Sequence, residues 1–217
     1  MSPISFRKVA VSLAIFALVT LASATLTRAD TVTFDLNRGS TLPPNQVYGS
    51  ITLTLVGSSI TVDINLLAGN RIVNTGFDAS VAFSYTGTGQ LIISGLPATY
   101  SVVNSGNPSA VGMDGFGNFE YGVLFNAQGG GQGTDSSLSF TVSRVGGFSS
   151  VFELMQLSTN PPGSIESTWA VDIICDSCGP ATGVVGSGGP VPEPASMLLL
   201  GTGLLGLGAG IRKRLRR

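Results

Sequence analysis

Three groups of residues in the chain have types and spacing that could do chemistry. Cys175-Asp176-Ser177-Cys178 is a C-x-x-C pair, the spacing of a local disulfide, of a redox dithiol, or of half a zinc site. Zinc needs more ligands, and the chain has no other Cys and no His. A redox dithiol expects a thioredoxin-like βαβ context, which the flanking sequence lacks. The pair reads first as a structural disulfide of an oxidising compartment, with free or intermolecular thiols and redox chemistry as alternatives. Asp114, Asn118 and Glu120 offer oxygen ligands for calcium in the Gly-rich stretch DGFGNFE. The D-x-[DN]-x-[DN]-G spacing is absent, and a turn shaped by glycines accounts for the same residues. Gly201-Thr202-Gly203-Leu204-Leu205-Gly206 satisfies G-x-G-x-x-G. Dinucleotide binding also requires a βαβ unit and an acidic residue about 20 positions on, and no acid follows. These glycines suit small residues in an apolar span instead.

The absence of His removes Ser-His-Asp and Cys-His catalysis and the commonest metal ligand. No nucleophile elbow or phosphate-binding loop is present. Twelve acids could supply a glycosidase pair, but none stands in a recognisable motif. The sequence therefore predicts a protein that is not an enzyme and needs no cofactor. Tyr48, Phe119, Tyr121 and Trp169 could stack on sugars, although aromatics in strands are more often core.

The elements that would carry these residues are strands. Of the 217 residues, 43% are hydrophobic and only 11% charged, too apolar for disorder. Thirty glycines among many Ser, Thr and Val favour short strands joined by tight turns. Apolar and hydroxyl residues alternate at Val32, Phe34 and Leu36, at Ile51, Leu53 and Leu55, at Ile60, Val62, Ile64 and Leu66, and at Leu138, Phe140 and Val142. Gly57-Ser58-Ser59 would join the second and third stretches as a hairpin. Further strands are expected over 81–85, 91–94, 99–103, 119–125 and 168–174, while 148–157 fits a short helix as well as a strand. The fold class is all-β. The expected body is an antiparallel β-sandwich or jelly-roll-like domain over 30–178, flanked by an N-terminal signal helix and a C-terminal transmembrane helix.

The ends differ from the body in charge. Between Asp30 and Pro194 only Arg38, Arg71 and Arg144 oppose all twelve acids, a net charge of −9, whereas the ends are basic. An acidic body argues against nucleic-acid binding, and basic ends suit a membrane. Residues 1–29 read as a signal peptide: Arg7 and Lys8 precede an apolar run over 9–21, and small residues follow as Ala22-Ser23-Ala24 or Thr27-Arg28-Ala29. Residues 179–191, rich in Gly and Pro, read as a flexible linker that lets the body stand clear of a membrane. Beyond it come Pro192-Glu193-Pro194, an uncharged run over 195–211 and the basic residues Arg212, Lys213, Arg214, Arg216 and Arg217. Seventeen helical residues span about 26 Å, enough for a thin bilayer, with the basic end held in the cytoplasm.

In this order, motif, Gly-rich apolar span and Arg cluster resemble the PEP-CTERM sorting signal. The resemblance makes 192–217 a sorting tail. It implies recognition of Pro192-Glu193-Pro194 by an exosortase, a membrane transpeptidase-like enzyme, with loss or exchange of the tail. It also implies export across the inner membrane, transient anchoring there, and a final place at the cell surface or outside the cell. The body is similar to one group of PEP-CTERM proteins of unknown function through VYGSITLT (47–54), NTG (74–76), DGFGNF (114–119) and LSFTV (138–142). Such proteins belong broadly to the envelope of exopolysaccharide-producing bacteria. Two tasks for the body follow as expectations: a structural or assembly-forming protein of the extracellular matrix, or a carbohydrate-binding module of the exopolysaccharide layer. Few charges guard the strand edges against self-association.

Overall fold

A computed structural model of the chain describes residues 30–44, 46–104, 111–159 and 163–187. The expected signal peptide (1–29), the motif Pro192-Glu193-Pro194, the span 195–211 and the basic end 212–217 lie outside the described residues. The alternation seen in the sequence forms strands. In β1 (Thr31–Gly39), Val32, Phe34 and Leu36 are buried while Thr31 and Thr33 face out. β2 (Gly49–Val56) and β3 (Ser59–Leu66) form the expected hairpin, with Gly57 at φ 64° in its turn. β4 (Asn70–Ile72), β5 (Val81–Phe83), β6 (Leu91–Ser94) and β7 (Tyr100–Asn104) follow. Then come β8 (Val111–Met113), β9 (Gly117–Phe119), β10 (Tyr121–Phe125), β11 (Ser137–Arg144), β12 (Trp169–Cys175) and β13 (Ala181–Ser187).

One antiparallel sheet runs β6-β11-β3-β2-β1-β13-β12-β5-β10-β7, with β4 also paired to β12. This differs from two facing sheets. The pairing is unbroken along the path, and each of its strands sends side chains into one shared core, from Leu91 in β6 through Phe34 and Trp169 to Tyr100 in β7. The two end strands follow one another in the chain, separated only by residues 95–99. The sheet is therefore rolled nearly into a barrel, open between β6 and β7.

Two expectations need correction. The stretch 179–191 was expected to be a linker, but β13 occupies much of it and sits between β1 and β12. The β-domain thus extends to Ser187 rather than ending at Cys178. The glycines that suggest a linker are sites of close approach: a Cβ on Gly183 would collide with Thr41, and one on Gly186 with Phe116. The stretch 119–125 is not one strand either, because Glu120 interrupts it between β9 and β10. The ambiguous segment 148–157 contains a 3-10 turn, Val151–Leu154, closed by a capping box between Ser150 and Glu153.

The hairpin β8–β9 lies outside the main sheet. It packs Val111, Met113, Phe116 and Phe119 on Ala82, Ala170 and Val184, forming a second small core on the outer face.

Candidate functional site

That hairpin makes one wall of an open cleft of about 380 Å³. The other wall is the loop before β5. Asn74 ties the loop down by donating from Nδ2 to the Phe125 carbonyl (2.9 Å) and accepting from the Gly76 amide (3.1 Å). Thr75 donates both its amide (2.7 Å) and its hydroxyl (2.6 Å) to Asp172 Oδ2. Held this way, the loop places half-buried Phe77 and exposed Asp78 in the cleft lining. The Gly112 amide donates to Asp78 Oδ2 (2.8 Å), bridging the two walls. Asp114, Asn118 and Ser164 complete the polar lining, the last brought in where the Ile165 amide donates to the Gly115 carbonyl (2.7 Å).

Beneath this cleft region Asp172 is fully buried on β12, and its Oδ1 has no hydrogen-bond partner among the described residues. Burial pushes its carboxyl up to about 6, the Thr75 hydrogen bonds oppose the rise, and the charge of Asp114 adds to it.

The expected calcium ligands separate. Asp114 and Asn118 share the cleft, but Glu120 does not line it: its Oε2 accepts from the Tyr85 amide (3.3 Å), and burial raises its carboxyl. Among the described residues no three His, Cys, Asp or Glu side chains are placed to share a metal ion. The four aromatics considered for sugar stacking are core residues: Tyr48, Phe119, Tyr121 and Trp169 are all buried. Their polar tips are taken up by backbone carbonyls, as from Trp169 Nε1 to Leu154 (2.9 Å) and from the Tyr48 hydroxyl to Pro43 (2.6 Å). Cys175 and Cys178 are joined by a disulfide in the turn after β12. Phe77, Asp78, Ser164 and Asp172 escaped the sequence reading. The first three stand in no motif, and Asp172 sits at an alternation position that reads as facing solvent.

Outside the body, the PEP-CTERM protein-sorting motif matches residues 190–214. The chain carries a PEP-CTERM sorting signal. The match includes Pro192, Glu193, Pro194, the apolar run 195–211, and Arg212, Lys213 and Arg214, and it stops short of Arg216 and Arg217. The PEP-CTERM signal marks an exported protein processed by an exosortase, a membrane enzyme, and sorted by way of the membrane toward the cell surface. No curated protein and no solved structure is significantly similar to the chain. Among the described residues no helix is long and apolar enough to cross a membrane.

Proposed function

We propose that the body is a non-catalytic binding domain displayed at the cell surface, and that its cleft takes a sugar unit of the surrounding polysaccharide. The observation that carries this reading is the cleft lining. Asp78, Asp114 and Asn118 offer oxygen acceptors, Ser164 a hydroxyl, and Phe77 apolar surface, all within a concavity of about 380 Å³. Small-ligand sites of about 300–1,000 Å³ combine apolar surface with a few convergent polar groups in this way. Hydroxyl groups donate well to carboxylates, and the C–H face of a sugar ring packs on an aromatic side chain. In this reading exosortase processing of Pro192-Glu193-Pro194 places the domain within the matrix, while the run 195–211 holds it in the inner membrane beforehand.

The test is a glycan array probed with the folded exported protein, with and without calcium, beside Phe77→Ala and Asp78→Asn variants. Binding that both variants lose at unchanged melting temperature supports the reading; a flat array under both conditions sinks it.

A second reading, a self-assembling matrix protein, has its own observation. The end strands β6 and β7 carry no charged residue, and they expose Ile92 and Val102. A sedimentation coefficient that rises with concentration and returns to the monomer value in Ile92→Lys supports it; a strict monomer at millimolar concentration ends it.

A further inference from the structure

We propose that the end of the barrel around the β2–β3 turn is a membrane-docking surface, seated on the lipid bilayer while the sorting tail is still attached. This rests on the reading of residues 195–211 as the membrane-held segment.

The first observation is apolar exposure gathered at one place. Val56 (60% exposed) begins the β2–β3 turn, Val145 (92%) tips the turn after β11, and Phe152 (55%) projects from the 3-10 turn. The first two segments meet at Ser58, and the 3-10 turn joins the end of β2 through Asp30, which accepts from the amides of Val151 and Leu55. The Phe148 amide donates to the Ser58 carbonyl (2.9 Å), and a Cβ on Gly147 would lie 2.5 Å from that of Ser58. Scattered apolar residues on a surface are ordinary, but a cluster on three adjoining loop tips marks an interaction surface.

Second, the charges packed around this turn are few, and each is bonded within the protein. Arg144 Nη2 pairs with Glu153 Oε2 at 2.8 Å, with both side chains mostly buried, and the guanidinium lies over the rings of Tyr85 and Phe148. Burial alone would raise the Glu153 carboxyl, but hydrogen bonds from Ser149 and Ser150 and the Arg144 charge outweigh it and hold it low. Asp30 Oδ2 accepts from the Ser150 hydroxyl (2.7 Å) and the Val151 amide (3.1 Å). The opposite end exposes Val47 and Leu67 but also the ion pair Arg71–Asp176, whose side chains are 36% and 42% exposed. Residues 30–187 hold eleven acids against three arginines, a net charge of −8 that anionic headgroups repel, and this end adds only the single charge of Asp30 beyond the Arg144–Glu153 pair.

Third, the chain leads both of its outer segments to this end. The Leu55 amide donates to the Asp30 carbonyl (2.8 Å), so residues 1–29 join the body beside Val56. β13 runs antiparallel to β1, with Ser187 opposite Leu36, and therefore heads toward Asp30. The six extended steps from Leu36 back to Asp30 cover about 20 Å. The eight steps from Ser187 to Ala195 reach at most about 26–29 Å. Little slack remains once the tether has passed the rim of the barrel. Because β13 has taken up the expected linker, the body is drawn down with its apolar rim toward the lipid.

The experiment uses the full chain in liposomes. With Cys175 and Cys178 bonded to each other, single cysteines at Val145→Cys, Phe152→Cys and, at the far end, Ala127→Cys take an environment-sensitive fluorophore. Docking is expected to show as loss of fluorescence with doxyl-labelled lipids at 145 and 152, and no loss at 127. Equal insensitivity at all three positions in protein that floats with the vesicles overturns the docking surface. Energy transfer between labelled copies at 145, without lipid quenching, overturns it in favour of self-association. Protein that does not float overturns the membrane reading of 195–211, and the docking proposal with it.

Discussion

Trp169 lies flat against Phe83, with ring centroids 4.4 Å apart and planes at 13°. The pair joins β12 to β5, where the two residues are also backbone partners. The indole N–H reaches the Leu154 carbonyl, so one side chain ties the barrel wall to the 3-10 turn. Replacing the chain's one tryptophan with Phe keeps most of the packing but leaves that carbonyl without its donor, at a cost of about 1–3 kcal/mol. Trp169→Ala also opens a cavity and should cost about 3–5 kcal/mol. Urea titration followed by circular dichroism measures both.

The position of β13 predicts where the domain ends. Ser187 Oγ lies 2.7 Å from Thr168 Oγ1 and 3.0 Å from Ser167 Oγ, and it accepts from the amides of Thr168 and Trp169. The Ser187 amide in turn donates to Ser167 Oγ (2.9 Å). A chain covering 30–178 lacks this network and a central strand, and should show no cooperative thermal transition. One covering 30–187 should unfold in a single sharp step. Within the latter, Ser187→Ala should cost about 1–3 kcal/mol, because buried donors lose their acceptor.

Asp172 sets a pH dependence. Its carboxyl stands at about 6 in the folded protein and returns to the ordinary carboxylate range on unfolding. Between those values the folded state binds the proton more tightly, so the Asp172 contribution favours folding at acid pH and is lost as pH rises through about 6. Asp172→Asn keeps an acceptor for Thr75 and carries no charge. It should be more stable than the parent at pH 8 by on the order of 2–3 kcal/mol, with the difference shrinking toward pH 4. Chemical unfolding of both proteins across that range is the measurement. A constant difference between them would show that Asp172 does not titrate in the window.

The Cys175–Cys178 disulfide closes a loop of only a few residues. Loop-entropy arguments give such a bond about 2 kcal/mol. Cys175 is also held by its pairing with Ala181 across the β12–β13 hairpin. The double Ser variant should therefore lower the melting temperature by several degrees and retain the sheet, as read by far-ultraviolet dichroism.

The strands that were legible in the sequence are those with one face on the core and one in water, such as Val32–Leu36 alternating with Thr31–Asp35. Burial pattern and residue type agree there. β13 was hidden because its outer face is also covered: Val184 packs in the second core and Gly186 makes room for Phe116, and a strand covered on both sides shows no alternation. The same covering hid the cleft. Asp78 and Asn118 are 40 residues apart in the chain, yet the place a Cβ would occupy on Gly112 lies 3.1 Å from Asp78 Oδ2 and 3.6 Å from Asn118 Oδ1. Only the return of the β8–β9 hairpin over the sheet brings them together, and no local spacing encodes that return. The sorting tail was readable for the opposite reason. It is a linear signal, whose parts act in chain order without any fold to assemble them.

The first and last strands of the body lie side by side in the middle of the sheet. Their residues meet across about 150 positions of sequence, so β1 has an unfilled edge until almost the whole domain has been made or threaded through a pore. The final strand to arrive is also the one directly ahead of the sorting signal. The barrel thus has a built-in order of completion: it cannot close on β1 without its last strand. Completing the barrel therefore also brings the start of the sorting signal to the edge of the folded domain.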